Sequence, residues 1–225
     1  MLRVSLLYGA LFRLSRGDVL GGRTEKQGDG LESQGAAERP IRADAQRNLD
    51  LLLQAAKEVF ATSGVDATVR EIAEKAGLGM GTLYRHFPQR SDLIAAVFRR
   101  EIDACADAAS ALSLEHEPFA ALTKWLRRYS DFIATKRGLA PALYSGDPAY
   151  ENLAPYFQDR LRPALQTLLT TAAAASEIRS DVNADDLLKA VAALCLNDRE
   201  NSPDFSNRMI GLIIAGLRYR DNSPI

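Results

Sequence analysis

Residues 68–87 read TVREIAEKAGLGMGTLYRHF, and the punctuation of this stretch decides the fold. Thr68 offers an N-cap hydroxyl and Glu71 follows three residues later, the spacing of a capping box that closes a helix's first free donors. Ile72, Ala73 and Ala76 supply an apolar stripe, and Gly77 suits the left-handed residue that ends such a helix. Leu78, Gly79, Met80 and Gly81 then read as a four-residue turn. A second short helix follows, anchored by Leu83 and Phe87. It turns Thr82, Tyr84, Arg85 and His86 outward, a hydroxyl, a phenol, a guanidinium and an imidazole. Such groups suit phosphates and base edges better than a core. Two short helices about a glycine-bearing turn predict a helix-turn-helix whose second helix enters a DNA major groove.

Working outward, a long helix is expected from Arg42 to Thr62, with Leu49, Leu52, Leu53, Ala56, Val59 and Phe60 at helical spacing. Pro88 ends the second reader helix, and Ser91 with Asp92 starts another that runs to about Ser110 and joins head to body. Pro118 opens a helix with a wide apolar face (Phe119, Leu122, Trp125, Leu126, Tyr129, Phe132, Ile133). Residues 138–152 break into turns. A helix over 153–175 is then expected, kinked at Pro163, followed by one capped by Asn183 and a last one opened by Pro203.

The stretch from Leu49 to Val97, including TVREIAEKAGLGMGTLYRHF and the PQRSDLIAAV after it, resembles the DNA-binding domain of the TetR family of bacterial transcriptional regulators. The resemblance implies an all-α homodimer with a three-helix DNA-binding head over 42–90. It also implies a larger helical domain over 91–225 that dimerises and binds a small inducer. Matched by motif, the DNA contacts fall on Arg70, Met80, Gly81, Thr82, Tyr84, His86 and Arg90. Arg85, which projects differently from its neighbours, joins them as a base reader. From Tyr144 the body is similar to C-terminal domains of actinobacterial-type members. Met80 and Gly81 depart from the polar residues common at the start of this helix, so readout there is expected to be apolar or shape-based.

Composition fits this reading with one tension. The 225-residue chain is 47% hydrophobic and 25% charged, a globular balance, but its net charge is −1 where DNA binders are usually basic. Residues 41–100 hold nine Arg and Lys against seven acids, and the remainder towards the C-terminus is net acidic. Binding then depends on where the cations face. No apolar run reaches a membrane span, and Cys105 and Cys195 read as small core residues in a reducing cytoplasm. Residues 1–41 are expected to be a disordered extension. The run VSLLYGALF in its first dozen residues resembles a signal peptide only superficially, lacking a clean cleavage site.

Catalysis finds no constellation. Gly77, Gly79 and Gly81 follow a helix rather than a strand, so they are no phosphate-cradling loop, and no metal or cofactor motif occurs. Trp125, Tyr129, Phe132, Tyr144, Phe157 and Leu161 admit two readings, a plain core or the wall of a pocket for a small apolar or aromatic effector. Leu188, Val191, Met209, Leu212, Ile213 and Leu217 are the expected dimer interface, since apolar residues surround the last helix and a small body cannot bury all of it. The expected protein is a cytoplasmic repressor, released from a double-stranded DNA operator by an inducer. The alternative is a constitutive DNA-binding protein controlled by a protein partner.

Overall fold

A computed structural model describes residues 35–64, 66–135, 145–197 and 203–219. The chain is all-α, with no strand among the described residues. Its helices are α1 (Gly35–Ser63), α2 (Val69–Ala76), α3 (Met80–His86), α4 (Arg90–Glu115), α5 (Pro118–Thr135), α6 (Leu153–Ala174), α7 (Ala184–Asn197) and α8 (Pro203–Leu217), with a 3-10 turn at Pro148–Tyr150. Two compact units divide between Val97 and Phe98, inside α4. The expected boundary at 90/91 lies seven residues earlier. The difference arises because Leu93 and Val97 pack into the core of the first unit.

The first unit is a head built around Leu52, Ala56, Ile72, Leu83 and Leu93, each at most 1% exposed. Leu49, Phe60, Ala76 and Leu78 close its rim. Helix α1 begins at Gly35 rather than Arg42, so residues 35–41 are helical where a disordered extension was expected. Ala36, Ala37, Glu38 and Arg39 are strong helix formers that a reading of bulk composition overlooks. The rest of the expected extension, residues 1–34, lies outside the described residues. Gly64 (φ 75°) ends α1 in the left-handed region, which glycine enters without strain. Lys75 Nζ reaches Glu58 Oε2 at 2.9 Å and ties α2 to α1. Hydrogen bonding from Gln54, and then the bond and charge of Lys75, hold the Glu58 carboxyl below its ordinary value.

In the second unit, α5 packs against α6, α7 and α8, and α7 also packs on α6 and α8. The wide apolar face of α5 is buried as expected, with Leu122, Trp125, Leu126 and Tyr129 at 0% exposure. Helix α6 runs on through Pro163. It stops at Ser176 (φ 61°), where Ser176 N–H donates to the Ala173 carbonyl and Glu177 N–H to that of Ala172. This pair of bonds satisfies carbonyls the helix end would otherwise orphan. Glu177 then reaches 58 residues back along the sequence, its Oε2 accepting from Phe119 N–H at 2.6 Å to cap α5. Asn183 caps α7 by accepting from Asp186 N–H at 3.1 Å.

Candidate nucleic-acid interface

The reader's geometry follows from its caps. Glu71 N–H donates to Thr68 Oγ1 at 3.2 Å, and Thr68 N–H donates to Glu71 Oε2 at 2.9 Å, a complete capping box. Gly77 (φ 68°) ends α2, its neighbour Leu78 donating to the Ala73 carbonyl at 3.0 Å. Only residues 77–79 separate the two helices, so the turn is shorter than the expected Leu78–Gly81. Gly79 is extended (φ −71°, ψ 149°) and its carbonyl accepts from Thr82 and Leu83, which draws Met80 and Gly81 into the first turn of α3.

Leu83 (1% exposed) and Phe87 (6%) fix α3 to the core. Between them Tyr84 stands 50% exposed, and Arg85 is exposed beside it with no ion-pair partner among the described residues. Thr82 and His86 are half-buried and Gly81 is exposed. Met80 is half-buried against the head core, so the expected apolar readout there has only part of a side chain available. The His86 and Phe87 rings lie 6.3 Å apart. Arg90 begins α4 with its guanidinium 6.0 Å from the Phe60 ring, and Gln89 N–H donates to Asp92 Oδ2 at 3.0 Å to start that helix. Arg70, near the start of α2, is exposed and paired with Glu74 at 3.1 Å. The acid partner was legible as an Arg-x-x-x-Glu spacing but went unremarked in the sequence reading.

Comparisons with known proteins agree with this geometry. Residues 52–97 match the model of the bacterial regulatory proteins of the tetR family, and residues 117–219 match the C-terminal domain described as transcriptional regulator SbtR-like. The crystal structure of the TetR transcriptional regulator SCO0520 from Streptomyces coelicolor is 38% identical with a TM-score of 0.66, the match covering 76% of this chain and 99% of that one. This chain belongs to the TetR family. The TetR transcription regulatory protein from Mycobacterium vanbaalenii is 32% identical (TM-score 0.64, 80% of this chain and 100% of that one). An HTH-type transcriptional regulator from Staphylococcus aureus is 41% identical over 64 residues, which is 28% of this chain and 35% of that relative's length. The protein is thus a TetR-family helix-turn-helix transcriptional regulator. Among the described residues no helix is long and apolar enough to cross a membrane.

The TetR-family body holds the remaining candidates. Trp125 and Tyr129 stack at 5.6 Å, and Tyr129, Phe132 and Phe157 lie 6.2 to 6.5 Å from one another. Trp125 Nε1 donates to the Cys105 carbonyl at 2.8 Å and Tyr129 Oη to that of Leu188 at 3.2 Å, so both polar handles are taken up by backbone. Leu161 is fully buried alongside them, and Tyr144 lies outside the described residues. The Cys105 thiol, pushed up to about 12 by burial, is an inert core group.

Leu188 and Val191 correct the expected interface. Both are 0% exposed within the single chain, because α7 turns them towards the body's own core. Leu217 is also buried, while Met209 and Ile213 are half-buried and Leu212 is 64% exposed. Phe205 (43% exposed), which the sequence reading missed, shares an open apolar groove of about 360 Å³ with Ala190, Ala193, Leu194 and Ile213. Its signal was the spacing 205, 209, 212, 213 on a helix whose other stripe is Ser206, Ile210, Ile214 and Leu217.

Proposed function

We propose that this TetR-family regulator binds double-stranded operator DNA as a homodimer in the cytoplasm, each α3 entering a major groove about one helical turn, or a small multiple, from the other. The observation that carries the reading is α3 itself. Leu83 and Phe87 are buried, and the same turns expose Tyr84 and Arg85. Arg70, Thr82, His86 and Arg90 add candidate phosphate and base contacts around them. The apolar groove between α7 and α8 supports a second copy as the covering surface, since Phe205 and Leu212 stand exposed on one stripe of α8 and a two-fold pairing would bury both.

The regulatory sense proposed is repression, relieved when a small apolar or aromatic effector binds the body. A ligand shifts such an equilibrium only by binding one state better than the other. The second reading, control by a protein partner, is favoured by one observation. The body's aromatic cluster is packed ring on ring with its indole and phenol donors already satisfied. Mobility shift against the DNA flanking the protein's own gene tests the DNA reading, and a salt-sensitive shifted band is the expected result. Thermal-shift screening with apolar and aromatic compounds separates the two modes of control, because a ligand for the native body raises Tm by mass action.

A further inference from the structure

The support helix of the reader carries a counter-charge with no other duty. Arg70 Nε lies 3.1 Å from Glu74 Oε1, one turn away on α2, with the two side chains 80% and 67% exposed. The other acid of α2, Glu71, closes the capping box, and Glu58 on α1 is held by Lys75 and Gln54. Glu74 has no further side-chain partner among the described residues, and its backbone carbonyl alone serves the Gly77 turn. The reader's two arginines therefore stand in different states. Arg85 is exposed and unpaired among the described residues, whereas Arg70 already has an anion.

We propose that Glu74 masks Arg70 and thereby sets the strength and the salt dependence of DNA binding. The proposal rests on the DNA reading above. On docking, the Arg70 guanidinium exchanges the Glu74 carboxylate for a duplex phosphate or a guanine edge, both of which match its two-pronged donor geometry. An exposed pair at this spacing is weak, so the exchange is feasible. It is not free, since the carboxylate is left beside a polyanion and recaptures a cation. That uptake offsets part of the counterion release that drives binding. Over residues 41–97 the head holds seven cations against seven acids, a balance that one such charge tips. The same acid disfavours loose, sequence-independent association, which phosphate contacts dominate.

The test is Glu74→Gln, which keeps side-chain size and helix propensity. Fluorescence anisotropy with a labelled mixed-sequence duplex spanning two major grooves, and with the DNA flanking the gene, is followed over a salt series. Glu74→Gln is expected to tighten binding to both duplexes about three- to tenfold at moderate salt, and to steepen the log K against log salt slope by roughly one per head. In an Arg70→Ala background the same change should give less than about twofold, the signature of action through that guanidinium. Unchanged affinity and slope for Glu74→Gln in a protein that does bind DNA overturns the masking alone. An equal gain in both backgrounds also overturns it, by reducing Glu74 to a general acidic surface charge. A wild-type protein that binds neither duplex at low salt overturns the DNA reading itself, and the masking with it.

Discussion

Helices α3 and α8 are built on the same plan and end with opposite surfaces. Each buries one stripe, Leu83 with its neighbour Phe87 in the head and Ile210, Ile214 and Leu217 in the body. Each leaves the other stripe open. On α3 the open stripe is Tyr84 and Arg85; on α8 it is Phe205 and Leu212. The first retains its hydration and gains only when an array of acceptors or negative charge approaches. The second loses free energy in water at every exposure and gains from any dry, complementary surface. An amphipathic helix thus reports its partner through the face that its own domain does not use.

The comparison breaks most visibly at Leu212. Glutamate there places a charge on the exposed apolar stripe that Leu212 shares with Phe205, and in the proposed homodimer two-fold symmetry makes each substitution count twice. A weakening of self-association by about a hundredfold or more is expected, equivalent to about 2.7 kcal/mol. Sedimentation over a concentration series reads it, with the circular dichroism of the protomer unchanged because the side chain is 64% exposed. A dimer as tight as wild type would assign the α8 stripe some other role. Tyr84→Ala comes next. Loss of a docking phenol per head is expected to weaken binding to every duplex about tenfold, or about 1.4 kcal/mol, with a shallower salt slope if the lost contact is a phosphate. Anisotropy that matches wild type in both affinity and slope would remove Tyr84 from the interface.

Much of the head was legible because its signals are local. The capping box of Thr68 and Glu71, the left-handed Gly77 and the buried pair Leu83 and Phe87 each depend on neighbours within a few residues. The start of α3 was misplaced by two residues because Gly79 and Gly81 look alike in sequence. Only the extended backbone of Gly79 shows which of them is the cap. The body was less legible for a physical reason. Leu188 and Leu212 are the same residue type on adjacent helices, and sequence cannot tell an apolar side chain that faces its own core from one that faces outward. The α4–α6 pairing escaped notice likewise. Asp103 and Asp107 are one turn apart, as are Tyr156 and Arg160, and each spacing alone reads as a solvated face. In the structure Tyr156 Oη donates to Asp103 at 2.6 Å, and Arg160 joins Asp103 at 2.7 Å and Asp107 at 2.8 Å.

That network sharpens the comparison, since it joins α4 to α6 through polar groups at the edge of an apolar core. The bond to Asp103, with burial behind it, raises the Tyr156 phenol above its ordinary value. The neutral phenol is the form that the fold favours. Its contribution is therefore complete below the ordinary tyrosine pKa of about 10 and is lost as pH rises through the raised folded value. Tyr156→Phe is expected to cost roughly 1 kcal/mol at neutral pH. Its deficit in Tm should shrink above about pH 10, where the wild-type phenol ionises as well. A deficit that stays constant across that range would show the hydroxyl to be a packing group only.

The smallest expected effect returns to the helix that supports the reader. Thr68→Ala removes the side-chain acceptor for Glu71 N–H and frees the Glu71 carboxylate from the hydroxyl it also touches at 3.3 Å. Thr68 N–H can still donate to Glu71, so half of the capping box persists. Because the cap is exposed, water replaces part of what is lost, and the cost should lie near the low end of measured N-caps, about 0.5–1 kcal/mol. Denaturant melts should register that loss. The consequence for DNA should be smaller than for Tyr84→Ala, since α3 is held by Leu83 and Phe87 and not by the first turn of α2. A Thr68→Ala protein that loses DNA binding as severely as Tyr84→Ala would mean that the orientation of α2, and Arg70 with it, matters more to docking than the exposed stripe of α3.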